Sequence, residues 1–542
     1  MLIKKFIYIL SFLFLFNSLN SQSNYFEISK NLEIFNNVYK ELNTYYVDDT
    51  EPGKLMKEGI DAMLKKLDPY TQYIPESEIE DFRFQTTGQY GGIGSLIRKV
   101  GDYVIIAEPY KDFPADKSGL KIGDKIIKID GISMKDKSVE DVSKLLKGEP
   151  GKKVNISVSR ISGSDIFEIP VTREKIKISS VPYSGLIDDI GYVKLNKFTR
   201  NCANEVKNEI LKLESEKALK GIIIDLRMNP GGLLNEAIKL CNIFIEKNTK
   251  IVETKGRNTD WNKVYKTKSS AYNTEIPVVV LVNQGSASAS EIFAGTLQDL
   301  DRGIVVGTKT FGKGLVQQTR KLNYNSQLKL TVAKYYTPSG RCIQEINYSD
   351  EKNTLPDSLR TEFKTKNKRS VFDGGGVDPD IIVETDSIPK IIFNLVQKQL
   401  IFKFGNYYSS KVSDIGSMNK FKITDEIYDL FKEFLKREEF QFETLSDEKI
   451  NDLEETLLFE GYDIKLKETG LLKKIKEEIL QLKNQDINKY KKDISKIILS
   501  DIIVRYYYNE GRIESSLKED AAILDAIKIL NDTKAYNKIL NK

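Results

Sequence analysis

Apolar positions recur at helical spacing near the start of the chain. Phe26, Ile28, Leu32, Ile34, Phe35 and Val38 fall on one face of a 3.6-residue repeat, which predicts an amphipathic helix. A second helix is predicted over about Lys54–Leu67, and Asp68-Pro69 blocks its continuation. Past residue 87 the pattern shortens. Tyr103–Ala107, Lys125–Ile129 and Val154–Val158 are strand-like runs, and a helix over Val139–Leu146 follows Ser138, a good N-cap. From residue 173 strands and helices alternate. Gly191–Leu195, Gly221–Leu226, Val278–Val282 and Ile304–Val306 are strand-like; Cys202–Glu216, Leu233–Glu246 and a segment from Ser288 to about Leu300 are helical. Extended structure is predicted through Gln327–Lys334. From about Ser387 the chain is rich in Lys and Glu with helical periodicity, as at Ile423–Lys436, Leu471–Leu482, Ser495–Tyr508 and Asp520–Leu530. These shifts divide the chain into a helical region over 23–86, a small β domain over 87–172, an alternating α/β core over 173–385 and a helical region over 386–542. The two helical regions carry no evident chemistry.

Residues 1–22 have a separate character. Lys4 and Lys5 precede an apolar run of 11 residues, Phe6–Phe16, and small polar residues follow, with a cleavage point near Ser21. That run is too short to cross a bilayer, which takes about 20 residues. The segment reads as a secretory signal, with an uncleaved N-terminal anchor as the alternative. The mature protein is therefore expected outside the cytoplasm, in the periplasm or cell envelope.

Composition narrows the chemistry. The sequence has no histidine, which excludes a Ser-His-Asp triad, a Cys-His dyad and any His-ligated metal site within it. Cys202, Cys241 and Cys342 are far apart and form no CxxC pair, so no metal centre is expected. The 83 basic and 78 acidic residues are intermixed and leave a net charge of +5, which argues against a nucleic-acid partner.

Two polar residues in small or apolar surroundings remain as candidates for acid–base and nucleophilic chemistry. Ser288 stands between Ala287 and Ala289 at a predicted helix start, where the dipole and unpaired N–H groups favour negative charge. Ser288 and Glu291 also fit a capping box, a purely structural role. Lys313 lies between two glycines close to Phe311, Leu315 and Val316; a desolvated lysine there has a lowered pKa and can act as a base. Asp299, 11 residues after Ser288, falls on the same helix face and either anchors the site or makes a local salt bridge. Gly231 and Gly232 follow a buried-type strand and precede a helix, a turn that leaves backbone N–H groups to point into a site. Gly307–Lys313 matches the first seven positions of a phosphate-binding loop. Gly314 stands where Ser or Thr would hold magnesium, and the segment after it looks extended, so nucleotide binding is rejected.

Residues 87–172 resemble a PDZ domain. The Gly92-Ile93-Gly94 turn, leading into Ser95, corresponds to its carboxylate-binding loop, and the next strand offers an edge to an extended peptide. Together with GSASASEIFAG, LQD, VVGTKTFGKGLVQQ and DLRMNPGG, the chain resembles the carboxyl-terminal processing proteases, also called tail-specific proteases, from about Leu67 to Val383. One departure is Tyr70, where the family has His. The resemblance implies a multidomain α+β protein, with a PDZ-like β domain ahead of an α/β protease core and helical regions at both ends. It implies a serine endopeptidase with Ser288 as nucleophile, Lys313 as general base and Gln317 orienting that lysine. The oxyanion hole would use the N–H of Ala289 and one from Gly231 or Gly232. Protein or peptide C-termini would be the partners, a homo-oligomer or adaptor protein is open, and no cofactor is implied. The competing reading is an exported PDZ adaptor on an inactive protease fold.

Overall fold

The computed structural model describes residues 25–160, 165–348, 356–384, 388–462 and 470–542. The segment read as a secretory signal lies outside them. The chain forms two compact units: Met1–Ser77 with Gln317–Thr331, and Glu78–Val316 with Val332–Lys542.

In the first unit a helix over 25–45 is followed by helix Pro52–Lys65, which has proline in its first turn. The apolar stripe of the first helix, including Phe26, Leu32 and Val38, is exposed. Asp68 turns the chain after the second helix. Its Oδ1 accepts the N–H groups of Tyr70 and Thr71, and its Oδ2 accepts the Thr71 hydroxyl. Strand Gln72–Ile74 then pairs antiparallel with Gln327–Lys329.

The second unit begins with the small β domain. Strands Ser95–Val100, Tyr103–Pro109, Lys125–Ile129, Lys153–Ser159 and Ile166–Thr172 lie in that order, all antiparallel, so Ser95–Val100 is an edge strand. Helix Val139–Leu146 covers the core formed by Val104, Ile106, Ile126, Val142 and Val154. Ser138 caps it as expected, its Oγ accepting the Asp141 N–H at 3.1 Å.

The α/β core is a six-stranded sheet in the order Tyr183–Ile187, Ile190–Lys194, Gly221–Asp225, Val278–Val282, Ile304–Gly307 and Ile381–Ile382. Its first pair is antiparallel and the rest are parallel. Alternate residues face opposite sides. Ile222, Ile224, Val278 and Val280 pack against helices Cys202–Glu216, Leu234–Phe244 and Ala289–Asp299. Ile223, Val279, Leu281 and Val306 pack against Leu517, Ile523, Ala526, Leu530 and Tyr536 from the end of the chain. Both faces of the parallel sheet are thus covered, which is why VVVLV is apolar without alternation. Tyr536 closes the join: its hydroxyl accepts the Val278 N–H at 3.0 Å and donates to the Val278 carbonyl at 3.1 Å.

The C-terminal region is helical, with a core of its own around Phe404, Tyr428, Phe431 and Ile498. Its helices Asp425–Arg437, Leu471–Lys489 and Ala521–Asn531 lie where the periodicity predicts them. Helix Lys491–Ser516 is kinked at Tyr508 (φ 57°, ψ −168°), whose hydroxyl donates to Asp116 of the β domain at 2.9 Å. Arg98 of the β domain lies 3.8 Å from the centre of the Phe402 ring. The architecture is the expected multidomain α+β arrangement, with the β domain ahead of the α/β core. Among the described residues no helix is long and apolar enough to cross a membrane.

Candidate active site

Strand Val278–Val282 delivers the loop Asn283–Ala287, and Ser288 sits at the head of helix Ala289–Asp299. Ser288 has φ 56° and ψ −111°, a conformation that a residue with a side chain rarely holds. The surrounding bonds explain why it persists. Its N–H donates to Glu291 Oε2 at 2.7 Å, and its carbonyl accepts the Ile292 N–H at 2.9 Å and the Tyr335 hydroxyl at 3.1 Å.

The three serines of SASAS separate by role. Ser286 and Ser290 are fully buried. Ser286 Oγ donates to the Leu226 carbonyl at 2.8 Å and Ser290 Oγ to the Asn229 carbonyl at 2.9 Å. Both therefore staple the loop to the Asp225–Gly232 turn. Ser288 between them is half-buried.

That turn is itself tightly fixed. Asp225, fully buried, accepts the Arg227 backbone N–H at 2.9 Å, Arg227 Nε at 3.0 Å and Arg227 Nη2 at 2.7 Å. It also accepts the Tyr192 hydroxyl at 2.7 Å and Lys194 Nζ at 3.3 Å. These partners hold its carboxyl down at about 2 although burial pushes the other way. Asn229 donates through Nδ2 to the Leu195 carbonyl, and its own carbonyl accepts the Ala287 N–H at 3.0 Å. Gly231 (φ 91°) then approaches the serine closely. A Cβ there would lie 2.5 Å from the Ala287 carbonyl oxygen, 2.8 Å from the Ala289 nitrogen and 2.9 Å from Ser288 Cβ. The Gly231 N–H is donated to Asn229 Oδ1 at 2.9 Å. The Phe198–Gly232 bridge is made by Phe198 N–H to the Gly231 carbonyl and Leu233 N–H to the Phe198 carbonyl, so the Gly232 N–H is outside it.

Lys313 lies in the loop after strand Ile304–Gly307, half-buried. The loop is organised around Glu291. Glu291 Oε1 accepts the Thr310 hydroxyl at 2.7 Å and the Gly312 N–H at 2.7 Å; Oε2 accepts the Lys313 N–H at 2.9 Å beside that of Ser288. On the opposite side, the Tyr335 hydroxyl bonds to the Lys313 carbonyl as well as that of Ser288, and the Tyr335 N–H donates to the Gly314 carbonyl at 2.9 Å. The Phe311 N–H donates to the Ser286 carbonyl at 3.0 Å. The backbones of Ser288 and Lys313 are thus held together twice, amide to amide through one carboxylate and carbonyl to carbonyl through one phenol. Glu291 is completely buried, and burial pushes its carboxyl up to about 7 against four hydrogen bonds that lower it.

Comparison with known proteins shows the family of the chain. Residues 189–354 match the model of peptidase family S41, residues 105–160 that of a PDZ domain, and residues 391–530 that of a "probable PDZ-protease, C-terminal helical domain". A probable CtpA-like serine protease of Staphylococcus aureus (strain COL) is 35% identical over 380 residues, 69% of this chain and 69% of that protein. The chain belongs to peptidase family S41. A CtpA-like relative from Staphylococcus haemolyticus (strain JCSC1435) is 41% identical over 309 residues, 56% of this chain and 61% of its own. A solved structure titled photosystem II D1 C-terminal processing protease shares 27% identity over 66% of this chain and 93% of that one, with a TM-score of 0.34. The protein is a serine peptidase of the C-terminal processing type, with a PDZ domain ahead of its catalytic core.

The other residues singled out from the peptidase's sequence are placed as follows. Asp299 is at the far end of helix Ala289–Asp299, about 16 Å from Ser288 at 1.5 Å per residue. It forms a buried ion pair with Arg341 at 2.9 Å, and its Oδ2 accepts the Ser339 N–H at 2.9 Å. Of the two roles open to it, the geometry is that of the salt bridge: it secures the Thr337–Arg341 turn. Gln317 belongs to the first unit, where its Nε2 donates to Thr331 Oγ1 at 3.1 Å. In the PDZ domain, Gly92–Ser95 leads directly into the edge strand. The Ile93 carbonyl accepts the Ala115 N–H at 2.7 Å and the Gly94 carbonyl accepts the Tyr110 N–H at 3.0 Å.

Two members of the site were not foreseen. Glu291 was visible only as the third residue of a capping box. Tyr335 gave no signal within a strand pattern. The S/T-x-x-E spacing was the one available pointer to Glu291, and it says nothing of the Lys313 loop.

Proposed function

We propose that the protein is an exported endopeptidase that captures the C-terminal tail of a protein substrate on its PDZ domain and cleaves peptide bonds with Ser288 as nucleophile and Lys313 as general base. The observation that carries this reading is the double holding of Ser288 and Lys313 by Glu291 and Tyr335. A sequence without histidine leaves lysine as the natural base for a serine nucleophile. Export rests on Lys4, Lys5 and the apolar run Phe6–Phe16.

The steps follow from the chemistry of the pair. Neutral Lys313 takes the Ser288 Oγ proton as Oγ bonds to the substrate carbonyl carbon. The oxyanion is held by the Ala289 N–H and by Gly232, since the Gly231 N–H is engaged by Asn229. The C–N bond breaks, Lys313 returns its proton to the leaving amine, and an acyl-enzyme remains. Water, deprotonated by Lys313, hydrolyses the ester and restores Ser288. The role of orienting that lysine is given to Gln317, four residues after it, by the family resemblance alone.

The test uses the purified mature protein and a peptide substrate with a disordered free C-terminus. Ser288→Ala and Lys313→Ala are expected to abolish cleavage, and Gln317→Ala to lower kcat. Cleavage at wild-type rate by either of the first two overturns the assignment. Amidation of the substrate C-terminus is expected to raise KM; an unchanged KM would remove the tail-capture step.

A further inference from the structure

The C-terminal helical region carries no chemistry of its own, yet one of its residues reaches the catalytic turn. Asp520 caps helix Ala521–Asn531, its Oδ1 accepting the Ile523 N–H at 3.1 Å. The same carboxylate takes Arg227 Nη1 on both oxygens, at 2.9 and 2.7 Å. The rest of the Arg227 guanidinium is already engaged by Asp225 through Nε and Nη2. One arginine therefore ties two carboxylates from residues 295 positions apart in the chain. All three side chains are sheltered, with relative exposures of 0%, 21% and 23% for Asp225, Arg227 and Asp520. A charge-assisted contact in such surroundings is screened far less than one on the surface.

Arg227 opens the turn that touches the nucleophile. Two residues on, the Asn229 carbonyl accepts the Ala287 N–H and the Ser290 hydroxyl; four on, Gly231 lies against Ser288 Cβ. Asp225 fixes one side of Arg227 from the strand end. Asp520 fixes the other from a helix packed on the far face of the sheet. Removing Asp520 would leave Nη1 without its bidentate acceptor and the turn held from one side only.

We propose that Asp520 is a positioning residue of the peptidase site, and that the C-terminal helical region is a constituent of that site rather than an appended module. The proposal rests on the Ser288–Lys313 reading. Asp520 does not touch substrate; it acts through Arg227 on the turn that carries Gly232, one of the two oxyanion donors, and that packs against Ser288.

Cap and charge are separable at this position. Asp520→Asn and Asp520→Ser keep a good helix cap and lose the charge facing Arg227, whereas Asp520→Glu keeps the charge and weakens the cap. The full-length protein would be assayed with a fluorogenic peptide for kcat and KM, with a fluorophosphonate probe for Ser288 labelling rate, and by thermal unfolding. Asn and Ser are expected to lower kcat and labelling rate together by about tenfold with KM within about twofold, in protein that remains folded at the assay temperature. Glu is expected to keep kcat within about threefold while losing thermal stability. If kcat and labelling stay within twofold of wild type in Asn and Ser, or if kcat follows thermal stability across all three variants, the proposal fails. Ser288→Ala and Lys313→Ala run alongside separate the two layers. Activity surviving in either would overturn the dyad reading, whereas loss in both with unaffected Asp520 variants would overturn only the positioning role.

Discussion

Replacing Glu291 by Gln perturbs the group on which the amides of Ser288 and Lys313 meet. The carboxylate accepts four donors, two on each oxygen. The amide of Gln offers one oxygen, and its NH2 must face either Ser288 and Lys313 or Thr310 and Gly312. In either orientation a backbone N–H is left against another donor. Two charge-assisted bonds are lost, at about 1.5–3 kcal/mol each, partly offset because the neutral amide no longer requires a buried charge. The cost in activity is expected to be larger, because the link between Ser288 and Lys313 is cut. The expected fall in kcat is about 100-fold, comparable with loss of one oxyanion donor.

The pH dependence gives a second signature. In the folded protein the Glu291 carboxyl sits at about 7, above its ordinary 4.5, so the native state holds a proton that the unfolded chain has released. Wild-type stability therefore falls as pH rises from about 4.5 to 7 and is flat above, by about 3 kcal/mol in all. Activity runs the other way. Below pH 7 a proton on Glu291 competes with the N–H groups for the same oxygens, and the dyad loosens. The assay is thermal unfolding between pH 5 and 8 in a Ser288→Ala background, with and without Glu291→Gln, together with kcat in the active background. Gln is expected to remove this component of the stability slope. An unchanged slope, or kcat within a few-fold of wild type, would refute the reasoning.

Three further outcomes are expected. Tyr335→Phe removes the hydroxyl that joins the carbonyls of Ser288 and Lys313; kcat should fall roughly tenfold with KM unchanged, in line with about 1–3 kcal/mol for an unpaired buried carbonyl, as steady-state kinetics will read. Gly231→Ala places a methyl 2.5 Å from the Ala287 carbonyl oxygen at φ 91°, so cleavage should fall by about 100-fold or more while PDZ binding of a tail peptide, followed by calorimetry, is retained. Asp299→Asn breaks a fully buried ion pair with Arg341 and should cost about 3–5 kcal/mol in thermal or denaturant unfolding, yet spare the kcat of folded protein, since Asp299 is remote from the dyad.

Much of the fold was legible because it depends on local pattern. Strand, turn and helix around Ser288 could be placed from VVVLV, the small-residue turn and the cap spacing. What the pattern could not carry was long-range convergence. Ser288-x-x-Glu291 is an ordinary capping box until a loop 22 residues downstream folds onto the same carboxylate. Tyr335 lies in a strand whose alternation gives no reason to single out one hydroxyl. Helical periodicity puts Asp299 on the face of Ser288, but a shared face over three turns is a separation of about 16 Å, so face alone does not imply contact. The sequence of the C-terminal region shows Lys- and Glu-rich helical periodicity and no sign of what its apolar positions cover. Leu517, Ile523, Ala526 and Leu530 cover the second face of the parallel sheet, and the Asp520–Arg227 contact had no local signal at all.

The central claim is that Ser288, activated by Lys313, is the nucleophile, and mass spectrometry of the fluorophosphonate-treated protein tests it most directly. The predicted result is a single adduct on Ser288 in wild type, none on Ser286 or Ser290, and labelling slowed by orders of magnitude in Lys313→Ala at neutral pH. An adduct on another serine, or equal labelling in Lys313→Ala, would contradict it.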